Sequence, residues 1–445
     1  MSRALLLLAL AACATDTTSP DTAADTADSG DGSLTDPLSM PGTPTLDPSD
    51  FPTSAQCAKC HPDQVAQWST SNHAYAIVDP LFQVLVSVRQ GDFEGKQDRF
   101  CTQCHSAIGV RGGEIAPGFS FDALSPVVDE GVTCLACHAT TSVERDYNSG
   151  LVLDPAAPYH GPIADPTGNS FHASAPLDDF SGARFCGACH DVIEPSGLDL
   201  ERPYYEWEES PAALEGQTCQ DCHMPETTGK AATDGPERTV HDHRFVGIEN
   251  PFGDADVAAR IDTLLAQAAA VDLVLPDGVA RGDVLPVTVD VTNLIAGHNL
   301  PTGSTFIREL WIELVVTDAE GTVLYESGTL GDDGDLRGYW SVSDPYGDPD
   351  LVTFGSGFID ADGEPTLFPW RATEHWSAAI PPGYQRASTY FVPTSAAAAG
   401  PIDVAVRLRL RPASPHLLRT AGLDDHIPDL PIYELAGAEG SVEAW

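Results

Sequence analysis

Ten of the eleven cysteines stand in five Cys-x-x-Cys-His units: Cys57-Cys60-His61, Cys101-Cys104-His105, Cys134-Cys137-His138, Cys186-Cys189-His190 and Cys219-Cys222-His223. Two thiols at this spacing add across the two vinyl groups on one porphyrin edge. The adjoining histidine then lies beneath the iron as its proximal ligand. Paired zinc knuckles would use the thiols but give no reason for a histidine after every pair. Disulfides between residues so close in sequence fit worse still. The expectation is five covalent haem c groups, each held by two thioethers and one motif histidine.

The motifs also repeat. Arg99-Phe100-Cys101-x-x-Cys104-His105 is followed by Glu130-Gly131-x-Thr133-Cys134-x-x-Cys137-His138. The same two strings recur at the same internal spacing, as Arg184-Phe185-Cys186-x-x-Cys189-His190 and Glu215-Gly216-x-Thr218-Cys219-x-x-Cys222-His223. This reads as a duplicated two-haem unit with a first haem in front. Five macrocycles attached between Cys57 and His223 must themselves form much of the core.

The sixth ligand sets the potential. Of three methionines, Met1 belongs to the signal, Met40 to a spacer, and Met224 adjoins His223 too closely to reach that iron's far face. Histidines are left, and they hold potentials low relative to His/Met sites. Nine lie outside the motifs: His73, His160, His172, His241, His243, His298, His375, His416 and His426.

Several segments resemble the multihaem cytochromes c related to the tetrahaem nitrification cytochrome and hydroxylamine oxidoreductase. They are Cys57 to His61 with Trp68-x-x-Ser71-x-His73-Ala74, Gly131-Val132-Thr133-Cys134, Tyr159-x-Gly161-Pro162 and Phe185 to Asp191. Trp207-x-x-Ser210, Cys219 to Pro225, His243-x-Phe245-x-Gly247 and Gly297-His298-x-x-Pro301-Thr302-Gly303 extend the likeness over about residues 55–412. The resemblance implies that His73, His172, His243 and His298 are distal ligands. His73 falls on a helix expected over 62–76, from which it would reach a neighbouring haem. The fifth distal position stays open between His160, His241 and no histidine at all. His375, His416 and His426 read as ordinary polar residues.

Residues 1–12, with Arg3 and then an apolar run, form a short signal segment. It ends in Leu10-Ala11-Ala12-Cys13, similar to a bacterial lipobox whose cysteine, Cys13, is acylated. The stretch 13–52 is rich in Asp, has neither Lys nor Arg, and reads as a disordered acidic tether. An acyl anchor on a spacer implies an exported protein, facing the periplasm or the exterior at the outer membrane. Across the chain 66 acidic residues face 22 basic ones, for a formal charge of −44. That excludes nucleic-acid binding through phosphates and favours basic or neutral redox partner proteins.

The expected fold is a mainly α, irregular, haem-packed cytochrome c domain (53–250), followed by a connecting helix (251–270). An all-β immunoglobulin-like sandwich (271–412) and a tail (413–445) complete the chain. Val257, Ile261, Leu264, Leu265 and Ala268 share one helical face. Strand signals then dominate, clearest where Val404, Val406, Leu408 and Leu410 point inward and Arg407, Arg409 and Arg411 outward. Acidic loops at 332–335, 344–350 and 360–364 offer carboxylates for calcium but read better as solvated surface. His298 lies between two expected strands, so the sandwich is expected to complete one haem's coordination.

Two functions compete. One is electron relay through closely packed, mostly bis-His haems, alone or assembled with other cytochromes. The other is chemistry on a small nitrogen or sulfur compound at one five-coordinate haem. Nitrite-reducing members of the resembled group often carry Lys in place of a motif His, and no Cys-x-x-Cys-Lys occurs here. An acidic body also slows the approach of nitrite or sulfite. Electron relay is the favoured expectation.

Overall fold

The computed structural model describes residues 43–445. The signal segment, Cys13 and the tether through residue 42 lie outside the described residues. Residues 43–52, expected as the end of the tether, are folded onto the haem region. Thr45 N and Leu46 N donate to the Arg111 carbonyl, and Phe51 is buried. Leu46 and Phe51 join the apolar cluster there, which gives this Pro- and Asp-rich stretch a reason to dock.

Helices dominate to about residue 140, most of them a single turn or two: Ser54–Cys57, Pro62–Trp68, Asn72–Tyr75, Arg99–His105, Ala107–Arg111 and Cys134–His138. Segments this short are not stable alone and depend on what they pack against. The helix expected over 62–76 breaks after Trp68. The Ser71 hydroxyl accepts from Ala74 N and starts a new helix carrying His73. Beyond residue 140 short helices from Ala183–Gly187 to Cys219–His223 share the chain with four unexpected two-stranded pieces, from Thr140–Val143 with Leu151–Leu153 to Glu226–Lys230 with Glu237–His241.

The longest helix of this region, Pro80–Phe93, is capped by Asp79, which accepts from Leu81 N at 2.9 Å. Burial pushes the Asp79 carboxyl up to about 6. The folded chain therefore holds this proton more tightly than the unfolded one. The resulting stabilisation is full below about pH 4 and is lost as pH rises through about 6. Asp79→Asn should remove a decline of about 2–3 kcal/mol in that window, seen as a flatter unfolding free energy against pH.

Gly131 explains one glycine of the repeat. Its φ is 71°, and a Cβ would stand 2.8 Å from the His73 carbonyl, which accepts from Val132 N at 3.0 Å. Its counterpart Gly216 has φ 76° but faces open space. Alanine at either position carries a left-handed penalty of about 1 kcal/mol. Gly131→Ala adds the backbone clash, so its urea midpoint should fall further than that of Gly216→Ala.

From Ala255 the chain builds one larger body. Helix Ala255–Leu265, capped by Asp254, buries Val257, Ile261 and Leu265. One sheet has the strand order Gly278–Val279, Tyr433–Ala444, Gly400–Arg411, Glu309–Thr317, Val323–Ser327, with Thr353–Phe354 also on Glu309–Thr317. The other has Val284–Asn293 between Gln385–Pro393 and Ala269–Val274. Leu285, Val287, Val289 and Val291 share a core with Leu310, Ile312, Leu314, Val316 and Leu408 across the two sheets. Burial of each such side chain contributes about 1.5–3 kcal/mol.

Two expectations are corrected here. Residues 413–445 are no tail: they hold helix Pro415–Thr420 and the long strand Tyr433–Ala444, paired with Gly400–Arg411. Arg411 leaves the outer face of its strand but is not solvent-exposed. It is buried, ion-paired with Glu309, bonded to the Gly334 carbonyl at 2.7 Å and placed over the Trp311 ring. Among the described residues no helix is long and apolar enough to cross a membrane.

Candidate functional site

The repeat's threonines start the helices that carry the cysteines. The Thr133 hydroxyl accepts from Leu135 N at the head of Cys134–His138. Thr218 and Asp221 form a capping box at the head of Cys219–His223. One helical turn then sets the two thiols of each unit on the same face. The ten described cysteines form no disulfide.

Cysteines of different motifs meet. Cys57 lies against Cys134, Cys104 against Cys189, and Cys186 against Cys219. Cys137 is within electrostatic reach of both Cys186 and Cys189. The first motif therefore adjoins the third, the third the fourth, and the fourth both the second and the fifth.

The histidines come in pairs. Ring centroids are 6.3 Å apart for His61 and His172, 6.1 Å for His73 and His190, 6.4 Å for His138 and His243, and 6.3 Å for His223 and His298. Imidazole–metal bonds of about 2 Å on both sides of one ion, plus about 1 Å from each nitrogen to its ring centre, predict a separation of about 6 Å. The residues present thus fit an iron between each pair. Each pair joins a motif histidine to one of the four histidines singled out in the sequence.

Hydrogen bonds fix which nitrogen faces the pair. Nδ1 donates to a backbone carbonyl in His61 (Ala231, 2.5 Å), His105 (Ala76, 2.7 Å), His138 (His160, 2.6 Å) and His223 (Val246, 2.8 Å). The same holds for His172 (Ala173, 3.1 Å), His243 (His241, 2.8 Å) and His298 (Asn299, 2.9 Å). Nε2 is then the free ligand nitrogen, and the carbonyl raises its basicity. Burial pushes His73 down to about 3 and His243 and His298 down to about 4. It lowers His105, His138 and His190 as well. These rings are neutral at pH 7, the form that binds a metal.

His105 is the exception. The Phe82 ring stacks on its face at 3.7 Å and 7°, and among the described residues no second imidazole stands opposite it. His160, a candidate for that place, does not take it. Its carbonyl instead holds His138, and its own Nδ1 is buried without a partner. His241 donates to the Met224 carbonyl and is paired with no motif histidine. His375 and His416 stack on Phe358 and Trp340.

The loop that carries His298 is clamped to the haem region by a residue the sequence did not mark. Glu206 accepts from Asn299 N at 3.1 Å and from the Thr302 hydroxyl at 2.5 Å. Asn293 donates to the His298 carbonyl at 3.0 Å. The only hint was position: Glu206 adjoins Trp207 in the Trp-x-x-Ser segment. Among the described residues the acidic loops bring no three carboxylates together in a group that could hold a metal ion. Asp333 accepts from Ser343 N, Asp335 pairs with Arg419, and Asp348 accepts from Ser327 and Gly328.

Five attachment motifs on this framework define a multihaem c-type cytochrome. Residues 56–141 match the family model for cytochrome c554 and c-prime. The fold is similar to that of a penta-haem cytochrome c552 from Thermochromatium tepidum, at 22% identity and a TM-score of 0.61, over 89% of this chain and 100% of that one. The CARDB domain of a Pyrococcus furiosus protein, in complex with two metal ions, aligns at 11% identity over 40% of this chain and 87% of that one, with a TM-score of 0.18. No curated protein matches the chain.

Proposed function

We propose that the chain is an exported pentahaem cytochrome that relays electrons through closely packed, mostly bis-His haems. The observation that carries this reading is the set of four imidazole pairs at 6.1–6.4 Å on motifs whose cysteines adjoin in an unbroken series. When bound, each haem supplies a one-electron carrier. The four imidazole pairs would hold four of the irons, and two fixed imidazoles per iron would keep the ligand set the same in both oxidation states and reorganisation small. The series runs from the first motif through the third and fourth to the fifth, with the second as a branch on the fourth. The lipobox-like Leu10-Ala11-Ala12-Cys13 supports a membrane anchor, and the charge of −44 supports basic or neutral redox partners. The two-sheet C-terminal body we read as immunoglobulin-like, with its His298 loop serving the fifth motif.

His105 favours a second reading for one iron. An iron held there by His105 would have no second imidazole among the described residues, which would leave a position for a small nitrogen or sulfur compound. One experiment bears on both readings. Haem content by pyridine haemochrome should give five per chain, and electron paramagnetic resonance of the oxidised protein should give four low-spin signals and one high-spin signal. Five low-spin signals would remove the open iron. Fewer than four would remove the bis-His relay.

A further inference from the structure

Seven axial imidazoles are held by a backbone carbonyl at Nδ1, but neither His73 nor His190 is among them. The Phe245 ring packs on His73 instead, at 4.3 Å between centroids and 57° between planes. Its edge also meets His243, of the neighbouring pair, at 5.8 Å and 80°. The next residue, Val246, gives the carbonyl that holds His223. The segment 243–246 therefore touches the imidazoles of three adjoining motifs, the third, fourth and fifth.

This arrangement requires an unusual backbone. Phe245 has φ 49°, a left-handed conformation that is an outlier for a bulky residue and persists only where surroundings enforce it. The surroundings do so from both sides. His243 N donates to Gln67 at 2.9 Å. Arg244 and Arg260 both converge on buried Asp242, at 2.8 and 3.0 Å. The turn at Phe245 lets the His243 ring, the Phe245 ring and the Val246 carbonyl point to three different places.

Resting on the bis-His reading above, we propose that Phe245 is a positioning residue shared by three haem sites: its ring sets the orientation of His73, and its left-handed backbone aims the carbonyl that orients His223. Imidazole plane orientation is read directly in the g-values of a low-spin ferric haem, so the test is spectroscopic and independent of turnover. Phe245→Gly removes the ring but favours the backbone conformation. It should shift the low-spin signal of the His73/His190 site, shift that of His138/His243 less, and leave that of His223/His298 in place. Phe245→Val removes the ring and disfavours the turn; it should shift the His223/His298 signal as well. Phe245→Tyr should restore the parent spectrum. Signals are assigned to sites beforehand with the four distal-histidine variants. If Phe245→Gly, with five haems bound, leaves every g-value unchanged, the proposal is overturned. If the parent protein lacks four low-spin signals, it is the bis-His reading that has failed.

Discussion

Replacing Arg89 with methionine is expected to cost about 3–5 kcal/mol of folding stability, the usual penalty for removing one member of a buried ion pair. Arg89 and Glu194 have side chains only 1% and 3% exposed, and the guanidinium meets both carboxylate oxygens, at 2.8 and 3.2 Å. A third contact goes to Gln97 at 2.7 Å. Phe93, Phe100 and Trp370 surround the cation at 5.1, 4.9 and 5.4 Å from their ring centres. Without Arg89, Glu194 is left as an uncompensated charge among these rings. Trp370 also donates to Asp92, which is bridged by Arg371, so the C-terminal body is anchored at the same place. Because Phe100 adjoins Cys101, loosening there should also disturb the haem on the second motif. Guanidinium unfolding of the haem-loaded protein measures the loss. The double variant Arg89→Met/Glu194→Leu should regain most of it, since no buried charge remains. A loss below about 1 kcal/mol in the single variant would show the pair to be solvated and the argument wrong.

The second large effect concerns His298. His298→Ala should convert one low-spin ferric signal to high-spin, because the His223 iron would keep one imidazole only. His298→Met should keep that iron low-spin and move its midpoint potential upward, as expected for a His/Met haem. Redox titration followed by visible and paramagnetic resonance spectra distinguishes these outcomes. Glu206→Gln is the companion variant. It weakens the two bonds that hold the loop at Asn299 and Thr302 without touching His298. Loss of such a supporting contact ordinarily costs about 10–100-fold in metal affinity or activity. All spectra unchanged in His298→Ala would end the assignment.

What is legible in the sequence follows from the range of the forces involved. Thioether attachment is local chemistry, so the five motifs stand out from spacing alone. The alternation of Val404, Val406, Leu408 and Leu410 likewise encodes one buried face within a single strand. The strand Tyr433–Ala444 escapes a sequence reading because Ala436, Gly437, Ala438, Gly440 and Ser441 carry little side-chain signal. Its place is fixed by ladder bonds to Gly400–Arg411. Arg411 misleads because alternation says which way a side chain leaves the strand, but nothing of the Gly334 loop and Glu309 that cover it. The partner of each motif histidine is illegible for the same reason: opposition across a macrocycle is a tertiary fact. His160 looks eligible beside Gly161-Pro162, yet serves through its carbonyl. Phe245 stands in the His243-x-Phe245-x-Gly247 segment of the resemblance, but nothing in that spacing tells that its ring meets His73.

The four imidazole pairs have a consequence for the polymer as well as for the electrons. On the proposed ligation, iron would join them and close four long loops of chain: His61 to His172, His73 to His190, His138 to His243 and His223 to His298. A covalent cross-link closing a loop of such length removes about 4–5 kcal/mol of chain entropy from the unfolded state. The first three loops overlap, and His243, at the end of the third, lies beyond His223, where the fourth begins. No stretch from 61 to 298 therefore lies outside them. In a region of mostly one- and two-turn helices whose cysteines form no disulfide, such ligation would be a system of interlocked staples. A chain that lost one such bond would give up a carrier and, with it, a constraint on the next loop.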